Sequence, residues 1–373
     1  MVGLLQTEQN SHSIPSSGGG FDVDPKLVFY ELTQACDLIC RHCRASAQCR
    51  PHPEELSTEL SYWLIDQLNE FSVPPRLVLT GGDPLKRVDL YQLIEYAVGA
   101  GLDVSITPSA TPLATSRAIR RLKEAGISRI AVSIDGSDTE THDHMRGVSG
   151  SFDRSLEILY DAHLNGISTQ INTTITPQNY LQIDRMAEVF ERLDIDMWSV
   201  FFLVPVGRAE MLPQLTADEY EQVFESLWLQ SQRRSYIIKT TEAPHFRRYL
   251  LQKSKHTKSL DGSFPFQRYK SMGVNDGKGI MFVGHTGIIS PSGFLPINCG
   301  RFPEHNLVKV YRESSIFREL RNPDLLQGKC GACNFRKICG GSRARAYAIT
   351  GNMFAQDPCC AYLPPLLHKS EIL

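Results

Sequence analysis

The sequence predicts an α/β protein: a partial (β/α)6 barrel followed by a small C-terminal α+β domain. Between residues 27 and 206, strand-like and helix-like segments alternate, which is typical of a parallel sheet with right-handed crossovers. Three times, a helix-like segment ends at a glycine that is followed by an aliphatic residue and a strand, as a left-handed helix cap requires. These glycines are Gly101, Gly126 and Gly166. Six strand candidates fit an open barrel better than a closed eightfold one.

The six predicted strands share an aliphatic, β-branched composition and span 27–33, 76–80, 104–106, 130–132, 170–172 and 196–204. Helices are expected at 57–71, with Ser57 as the N-cap, and at 216–233. Residues 277–298 are rich in glycine and β-formers and predict a hairpin, and 306–321 predict a helix. We therefore divide the chain into a disordered lead (1–24), a barrel core (25–235), a linker or helical connection (236–275) and a small C-terminal domain (276–373).

Composition and charge exclude several classes of protein. The 373 residues are 42% hydrophobic and carry a formal net charge of −2, without a basic stripe that would indicate nucleic-acid binding. No apolar run approaches the roughly 18 residues of a membrane span. The N-terminus lacks the basic and apolar regions of a signal peptide, so we expect a cytoplasmic protein that binds neither nucleic acid nor membrane.

The ten cysteines fall into two groups that are separated by about 250 residues without cysteine. The first comprises Cys36, Cys40, Cys43 and Cys49; the second comprises Cys299, Cys330, Cys333, Cys339, Cys359 and Cys360. Tight clusters in a chain without a signal peptide favour metal binding in a reducing compartment over a disulfide framework.

Cys36, Cys40 and Cys43 form a C-x3-C-x2-C run directly after the first predicted strand. Three thiolates can hold a [4Fe–4S] cube by three corners, which leaves the fourth iron open to a small molecule. The alternative is a zinc site, for which His42 would be the candidate fourth ligand.

This run and its position resemble the radical S-adenosylmethionine (SAM) enzymes, and the resemblance extends over the chain beyond its N-terminal lead. In that family the open iron binds SAM, whose reductive cleavage gives a 5′-deoxyadenosyl radical that abstracts a substrate hydrogen atom. The resemblance thus implies a catalytic cluster on Cys36, Cys40 and Cys43.

The same resemblance implies a set of SAM contacts. Gly81-Gly82-Asp83-Pro84 follows the second strand and is similar to the family's G-G-E-P motif, with Asp83 in place of glutamate. Further expected contacts lie at or near the ends of later strands: Thr107, Ser109, Ser133 of the S-x-D-G segment, Asn172, and Arg146, which would pair with the SAM carboxylate. Residues 204–207 resemble the segment that flanks adenine. The alternative for each of these residues is a polar loop side chain that is hydrogen-bonded within the protein and does not contact SAM.

The second cysteine group begins with C-x2-C-x5-C at Cys330, Cys333 and Cys339. Such a set fits a structural zinc or a second [4Fe–4S] cluster. Beside a radical SAM core it resembles the SPASM or twitch domain, which implies one auxiliary [4Fe–4S] cluster with Cys359 as the fourth ligand and Cys360 as its alternative. This cluster would accept an electron or hold the site together. Cys299 is left open as a ligand, a hydrogen donor or a buried thiol.

Two stretches, 42–47 and 339–347, resemble the haem-synthesis branch, which oxidatively decarboxylates tetrapyrrole propionates, and also the maturases of pyrroloquinoline quinone and mycofactocin precursor peptides. We therefore expect a radical SAM oxidoreductase that acts on a tetrapyrrole-like cofactor precursor and takes electrons from a donor such as flavodoxin or ferredoxin. The alternatives are a peptide maturase and a non-enzymatic iron–sulfur or zinc protein.

Overall fold

The computed structural model describes residues 20–256 and 273–368. Ten strands of this part form one sheet, in the order β10-β9-β8-β1-β2-β3-β4-β5-β6-β7. The strands are β1 (Leu27–Glu31), β2 (Arg76–Thr80), β3 (Val104–Ile106), β4 (Arg129–Ser133), β5 (Ser168–Ile175), β6 (Met197–Phe202), β7 (Ile237–Thr241), β8 (Ile280–Val283), β9 (Ile288–Ser290) and β10 (Gly300–Arg301). Strands β1 to β7 pair in parallel in chain order, which confirms the open barrel.

Helices cover the outer face of the sheet in the barrel and continue in the C-terminal part. They are α1 (Thr58–Leu68), α2 (Leu90–Gly99), α3 (Ser116–Glu124), α4 (Thr139–Arg146), α5 (Ser151–Leu164), α6 (Ile183–Arg192), α7 (Ala217–Arg233), α8 (Phe246–His256), α9 (Leu307–Glu313), α10 (Ser315–Leu320), α11 (Gly328–Gly331), α12 (Arg343–Thr350) and α13 (Pro365–His368). Short 3-10 turns occupy Pro84–Lys86, Tyr180–Gln182, Gly207–Met211 and Pro323–Leu325.

Strand β5 shows how the sheet separates a core from a barrel interior. Its residues alternate between buried and half-buried over all eight positions. Ile171 and Ile175 point to the helices and belong to the main hydrophobic core, whereas Asn172 and Thr174 point inward and line a cavity. The inner wall of the barrel is therefore polar at the strand ends where parallel barrels bind their ligands.

Local signals in the sequence explain several element boundaries. Ser57 accepts a hydrogen bond from the Leu60 amide at the start of α1, and Thr216 forms a capping box with Glu219 at the start of α7. Gly101, Gly126 and Gly166 all have positive φ after their helices, as predicted.

The structure differs from the sequence-based expectation in the second half of the chain. The segment expected to be a linker contributes β7, which extends the parallel sheet beyond β6. The predicted hairpin exists as β8 and β9, but β8 also pairs in parallel with β1, so the C-terminal part is continuous with the barrel sheet. The single helix expected at 306–321 is two helices, α9 and α10, that meet at Ser314.

Some expectations fall on other parts of the chain. Most of the lead (1–19) and residues 257–272 of the expected linker lie outside the described residues. Within the parts that are described, none of the helices combines the length and apolar character needed to cross a membrane.

Candidate active site

A cavity of about 350 Å³ occupies the barrel interior, and the loops at the carboxyl ends of the strands form part of its wall. Inward side chains of successive strands line it, and so do all three cysteines of the C-x3-C-x2-C run. The cavity also reaches the β8–β9 hairpin and the residues after it, through Phe282, Gly293 and Phe294.

The loop that carries these cysteines folds back on itself. The Cys36 amide donates to the Gln48 carbonyl at 2.6 Å, and the Gln48 amide donates to the Gln34 carbonyl at 3.1 Å. This closed loop brings Cys36, Cys40 and Cys43 into one small apolar cluster with Leu38. The three thiols therefore face the same end of the cavity.

Donor groups surround the three sulfur atoms. The Leu38 amide donates to Cys36 Sγ at 3.4 Å, the Ala47 amide to Cys43 Sγ at 3.5 Å and Arg146 Nη1 to Cys40 Sγ at 3.7 Å. Burial raises the pKa of the Cys36 and Cys40 thiols, so their thiolate forms depend on these donors and on a bound cation. No three His, Cys, Asp or Glu side chains in the described residues converge closely enough to hold one metal ion. Cubane thiolates bind separate irons and do not need to converge on one point.

Two glycines let the loop after β2 approach the cysteine loop. A Cβ on Gly81 would lie 2.5 Å from the Thr33 carbonyl oxygen, and one on Gly82 would lie 2.3 Å from that of Ala35. The Gly82 amide donates to Thr33 at 2.8 Å, and the Asp83 amide donates to Ala35 at 2.6 Å. Both glycines line the cavity, so bare backbone is presented beside the cysteines, as a cradle for a polar ligand requires.

Asp83 and Pro84 do not line the cavity, although the sequence comparison with G-G-E-P assigned them to SAM binding. The Asp83 carboxylate is buried and accepts from Thr111 Oγ1 at 2.7 Å, the Leu85 amide at 3.1 Å and the Ser109 amide at 3.3 Å. The Asp83 carboxylate therefore stabilises the conformation of the turn through these hydrogen bonds and does not face the cavity.

The other expected SAM contacts all line the cavity: Thr107, Ser109, Ser133, Arg146 and Asn172. Ser109 lies between two parts of the site, since its hydroxyl donates to the Gly82 carbonyl at 2.8 Å and lies 3.4 Å from Cys36 Sγ. Asn172 Oδ1 accepts from Gln170 Nε2 at 2.7 Å, so its amide orientation is fixed.

A buried ion pair stands behind the first cysteine group. Arg146 Nη2 lies 2.7 Å from Asp135 Oδ2, and His42 Nε2 lies 3.4 Å from the same oxygen. Burial alone would raise the pKa of the Asp135 carboxyl, but Arg146 holds it below its usual value. Burial lowers the pKa of His42 to about 4, which outweighs the opposing effect of Asp135. His42 is thus neutral near pH 7; it lines the cavity, and its Nδ1 has no partner among the described residues.

The second cysteine group lies in the turns around α11 and before α12. The Cys330, Cys333 and Cys339 sulfurs accept from Asp357, Phe335 and Gly341 amides, each at 3.4 Å. Arg343, which is buried, also donates from Nη2 to Cys330 Sγ at 3.7 Å.

The adjacent Cys359 and Cys360, of which Cys359 was expected to be the ligand, have different surroundings. The Cys359 thiol points into the main core, where it lies 3.8 Å from the Leu215 carbonyl and contacts Tyr220. The Cys360 thiol is close enough to Cys330 and Cys339 for their charges to interact. Consecutive side chains point in opposite directions here, and Cys360 is the one that faces the other cysteines. Cys299 packs against the core at the start of β10, and burial raises its pKa to about 11.

Sequence reasoning missed two features of the cavity wall. Arg208 comes directly after the 204–207 segment and lines the cavity. It was not predicted, because an isolated arginine in a sequence does not indicate a binding residue. Glu242 follows β7 with φ +58°, a region that residues other than glycine rarely adopt, and its carboxyl group contacts that of Asp276. Burial, followed by the Asp276 charge, raises the pKa of Glu242. No local sequence pattern predicts a contact between Glu242 and Asp276, which are 34 residues apart.

Comparisons with known proteins agree with this geometry. The structure resembles Streptococcus suis SuiB bound to S-adenosylmethionine, with a TM-score of 0.69 and 18% identity over 91% of this chain and 78% of that one. It also resembles anSMEcpe with bound AdoMet and a peptide, with a TM-score of 0.67 and 16% identity over 90% and 94% of the two chains. At these identities the likeness shows a shared fold.

The sequence relatives decide the family. Residues 30–190 match the family model described as the radical SAM superfamily. The AdoMet-dependent heme synthase of Oleidesulfovibrio alaskensis is 38% identical over 91% of this chain and 88% of its own length. The chain belongs to the radical SAM superfamily. The predicted family, fold class and enzymatic nature are thereby confirmed, and the non-enzymatic alternative is wrong.

Other relatives of this radical SAM enzyme carry different names. The AdoMet-dependent heme synthase of Methanosarcina barkeri is 35% identical over 91% of this chain and 97% of its own length. The PqqA peptide cyclase of Rhizobium meliloti is 28% identical over 91% and 88%. Membership of the family implies SAM and a [4Fe–4S] cluster, and the three thiols beside a glycine-lined cavity fit both groups.

Proposed function

We propose that this radical SAM enzyme oxidatively decarboxylates a carboxylate-bearing side chain of a tetrapyrrole-like cofactor precursor. The observation that supports this most is the nearly full-length similarity to proteins named heme synthase, at 35–38% identity. Proteins named peptide cyclase or maturase are less similar, at 27–28%. A peptide substrate is therefore the second candidate.

In this proposal the cysteines bind the cluster, and residues in and after the strands bind SAM. Cys36, Cys40 and Cys43 hold the cluster, and Gly81 and Gly82 offer backbone groups to the SAM amino group. Thr107, Ser109, Ser133 and Asn172 surround the remainder of SAM, while Arg146 offers its charge to the SAM carboxylate. The bound cluster and SAM supply the 5′-deoxyadenosyl radical that takes one hydrogen atom from the substrate.

The overall reaction requires an acceptor for one electron. When a –CH2–CH2–CO2⁻ side chain becomes a vinyl group, it loses a hydrogen atom, CO2 and one electron. We assign Cys330, Cys333, Cys339 and Cys360 to an auxiliary [4Fe–4S] cluster that accepts this electron, in a C-terminal domain that begins near residue 276. The electron that starts the reaction would come from a flavodoxin or ferredoxin in the cytoplasm.

The test is a reconstitution without oxygen. The enzyme is loaded with iron and sulfide, then given dithionite, SAM and iron coproporphyrin III, the compound after which a Methanosarcina barkeri relative is named. We expect 5′-deoxyadenosine, CO2 and a porphyrin with vinyl groups. Cys36→Ala should abolish all three products. SAM cleavage without any change to the porphyrin would contradict the proposed substrate while leaving the radical chemistry intact.

A further inference from the structure

The Arg208 side chain is half-buried, and two of its guanidinium nitrogens lack a hydrogen-bond partner among the described residues. Its Nε and Nη2 atoms are shielded from solvent and make no hydrogen bond to any described residue. Two other arginines on the cavity wall are paired with carboxylates: Arg146 lies 2.7 Å from Asp135, and Arg44 lies 3.0 Å from Glu31. Because shielded donor groups without an acceptor are unfavourable, this position favours an anionic ligand that accepts from both nitrogens.

Backbone contacts fix Arg208 against the first cysteine loop. It lies in the Gly207–Met211 turn after β6, and its amide donates to the Cys43 carbonyl at 3.0 Å. Gly207 has φ +58°, and a Cβ there would lie 2.4 Å from the Arg44 carbonyl oxygen. The turn therefore packs directly on the loop, and the side chain is held at the cavity wall beside the cysteines.

The cavity does not provide the missing anion. Among the described residues that line it, Glu242 and Asp276 are the only carboxylic acids. Glu242 contacts Asp276 and accepts from Ser342 Oγ at 2.5 Å, and Asp276 accepts from Ser292 Oγ and from the Ala344 amide. Both acids are therefore engaged by other groups, which leaves Arg208 available to an anionic ligand.

We propose that Arg208 binds a carboxylate of the substrate and so places the adjoining carbons beside SAM, an inference that rests on the proposed function. The planar guanidinium matches a carboxylate with two parallel hydrogen bonds. The expected polar contacts to SAM come from the loops after β2 and β3, from β4 to α4 and from within β5, whereas Arg208 follows the 204–207 segment that is expected to flank adenine. It therefore reaches the cavity from a strand end that supplies none of the expected polar contacts to SAM.

The experiment measures two affinities on the reconstituted enzyme. Iron coproporphyrin III and its methyl ester are titrated in the presence of SAM and followed by visible absorption; SAM is titrated separately, and its cleavage by dithionite is measured without porphyrin. The variants are Arg208→Met and Arg208→Lys. The matched control is Arg76→Met, which removes another arginine of the wall that is already paired with Asp103.

We expect Arg208→Met to weaken binding of the acid form roughly 10- to 100-fold, the effect of losing a hydrogen-bonded charge pair. Arg208→Lys should weaken it less, because it keeps the charge but loses the second hydrogen bond. The preference of the wild-type enzyme for acid over ester should disappear in Arg208→Met. SAM affinity and porphyrin-free SAM cleavage should stay within about twofold, which also shows that the variant is folded.

Two results would overturn the inference alone. If Arg208→Met weakens SAM binding and leaves porphyrin binding unchanged, the anion is the carboxylate of SAM. If both affinities match those of Arg76→Met, Arg208 binds neither ligand. A wild-type enzyme that does not bind the porphyrin would refute the proposed function itself, and with it this use of Arg208.

Discussion

At the scale of single residues, Gly82 and Gly99 have the same side chain but different surroundings. A methyl group on Gly82 would overlap the Ala35 carbonyl, whereas nothing lies within 4 Å of one on Gly99 in α2. We predict that Gly82→Ala displaces the loop and lowers SAM affinity and SAM cleavage at least about tenfold. Gly99→Ala, the matched control, should raise the free energy of unfolding by about 0.5–1 kcal/mol and leave cleavage unchanged. Equal SAM cleavage by both variants would show that the close approach at Gly82 is not needed.

Cys359 and Cys360 provide a second prediction at this scale. We expect Cys360→Ser to reduce the iron content of the reconstituted enzyme from about eight to about four per chain, because the auxiliary cluster loses a ligand. Cys359→Ser should keep nearly all the iron and lose only a little stability, since its thiol packs in the core. Iron analysis and electron paramagnetic resonance of the reduced enzyme measure both. The reverse pattern would restore Cys359 as the ligand.

Some of these site residues could be predicted from the sequence, and others could not. The C-x3-C-x2-C run, the two glycines and Arg146 were found because local spacing or family resemblance marks them. The choice between Cys359 and Cys360 could not be made, since neighbouring residues share the same sequence context and differ only in direction. Asp83 was assigned to the ligand because a motif gives the position of a residue and not the way its side chain points.

At the scale of elements, strand β8 joins the C-terminal part to the barrel. Met281 in β8 is fully buried and pairs with Val28 of β1. We predict that Met281→Ala costs about 2–5 kcal/mol and lowers the midpoint of one shared thermal transition. The exposed Ile349→Ala in α12 should change stability by no more than about 0.5 kcal/mol. Differential scanning calorimetry tests this, and two separate transitions of which only one shifts would refute the single cooperative unit.

The elements themselves show what a sequence pattern can reveal. The first six strands were predicted because each is an aliphatic run, and three of them follow a helix that ends at a glycine. Strand β7 was missed because Ile237–Thr241 is half polar and lies between less regular segments. The pairing of β8 with β1 joins residues about 250 positions apart, and no local signal encodes a contact at that separation.

At the scale of the whole molecule, buried histidines make stability depend on pH. His245 stacks on Tyr220 at 5.2 Å between ring centroids, and burial lowers its pKa to about 3. Below pH 6.5 the His245 imidazole is protonated in the unfolded chain but stays neutral in the folded chain. The free energy of unfolding therefore falls as the pH drops from about 6.5 toward 3. His42 and His142, each with a pKa near 4, add to the same trend.

We predict that His245→Phe reduces this loss by about 1.4 kcal/mol per pH unit between pH 6.5 and 5. Phenylalanine keeps the ring stacking and cannot take up the proton. Denaturant unfolding at several pH values measures the slope, and replacement of the exposed His163 by phenylalanine is the control. An unchanged slope in His245→Phe would mean that the imidazole is not neutral in the folded enzyme.

The pairing of β1 with β8 has a consequence for how this enzyme is made. Strand β1 leaves the ribosome first, but one of its two edges has no partner until β8 has been synthesised about 250 residues later. At roughly 5–20 residues per second, that edge stays open for roughly 12–50 s. An unpaired strand edge invites association with other chains. The nascent barrel, with its cysteine loop attached to β1, therefore passes through an interval in which chaperone binding and the timing of iron–sulfur delivery decide the yield of active enzyme.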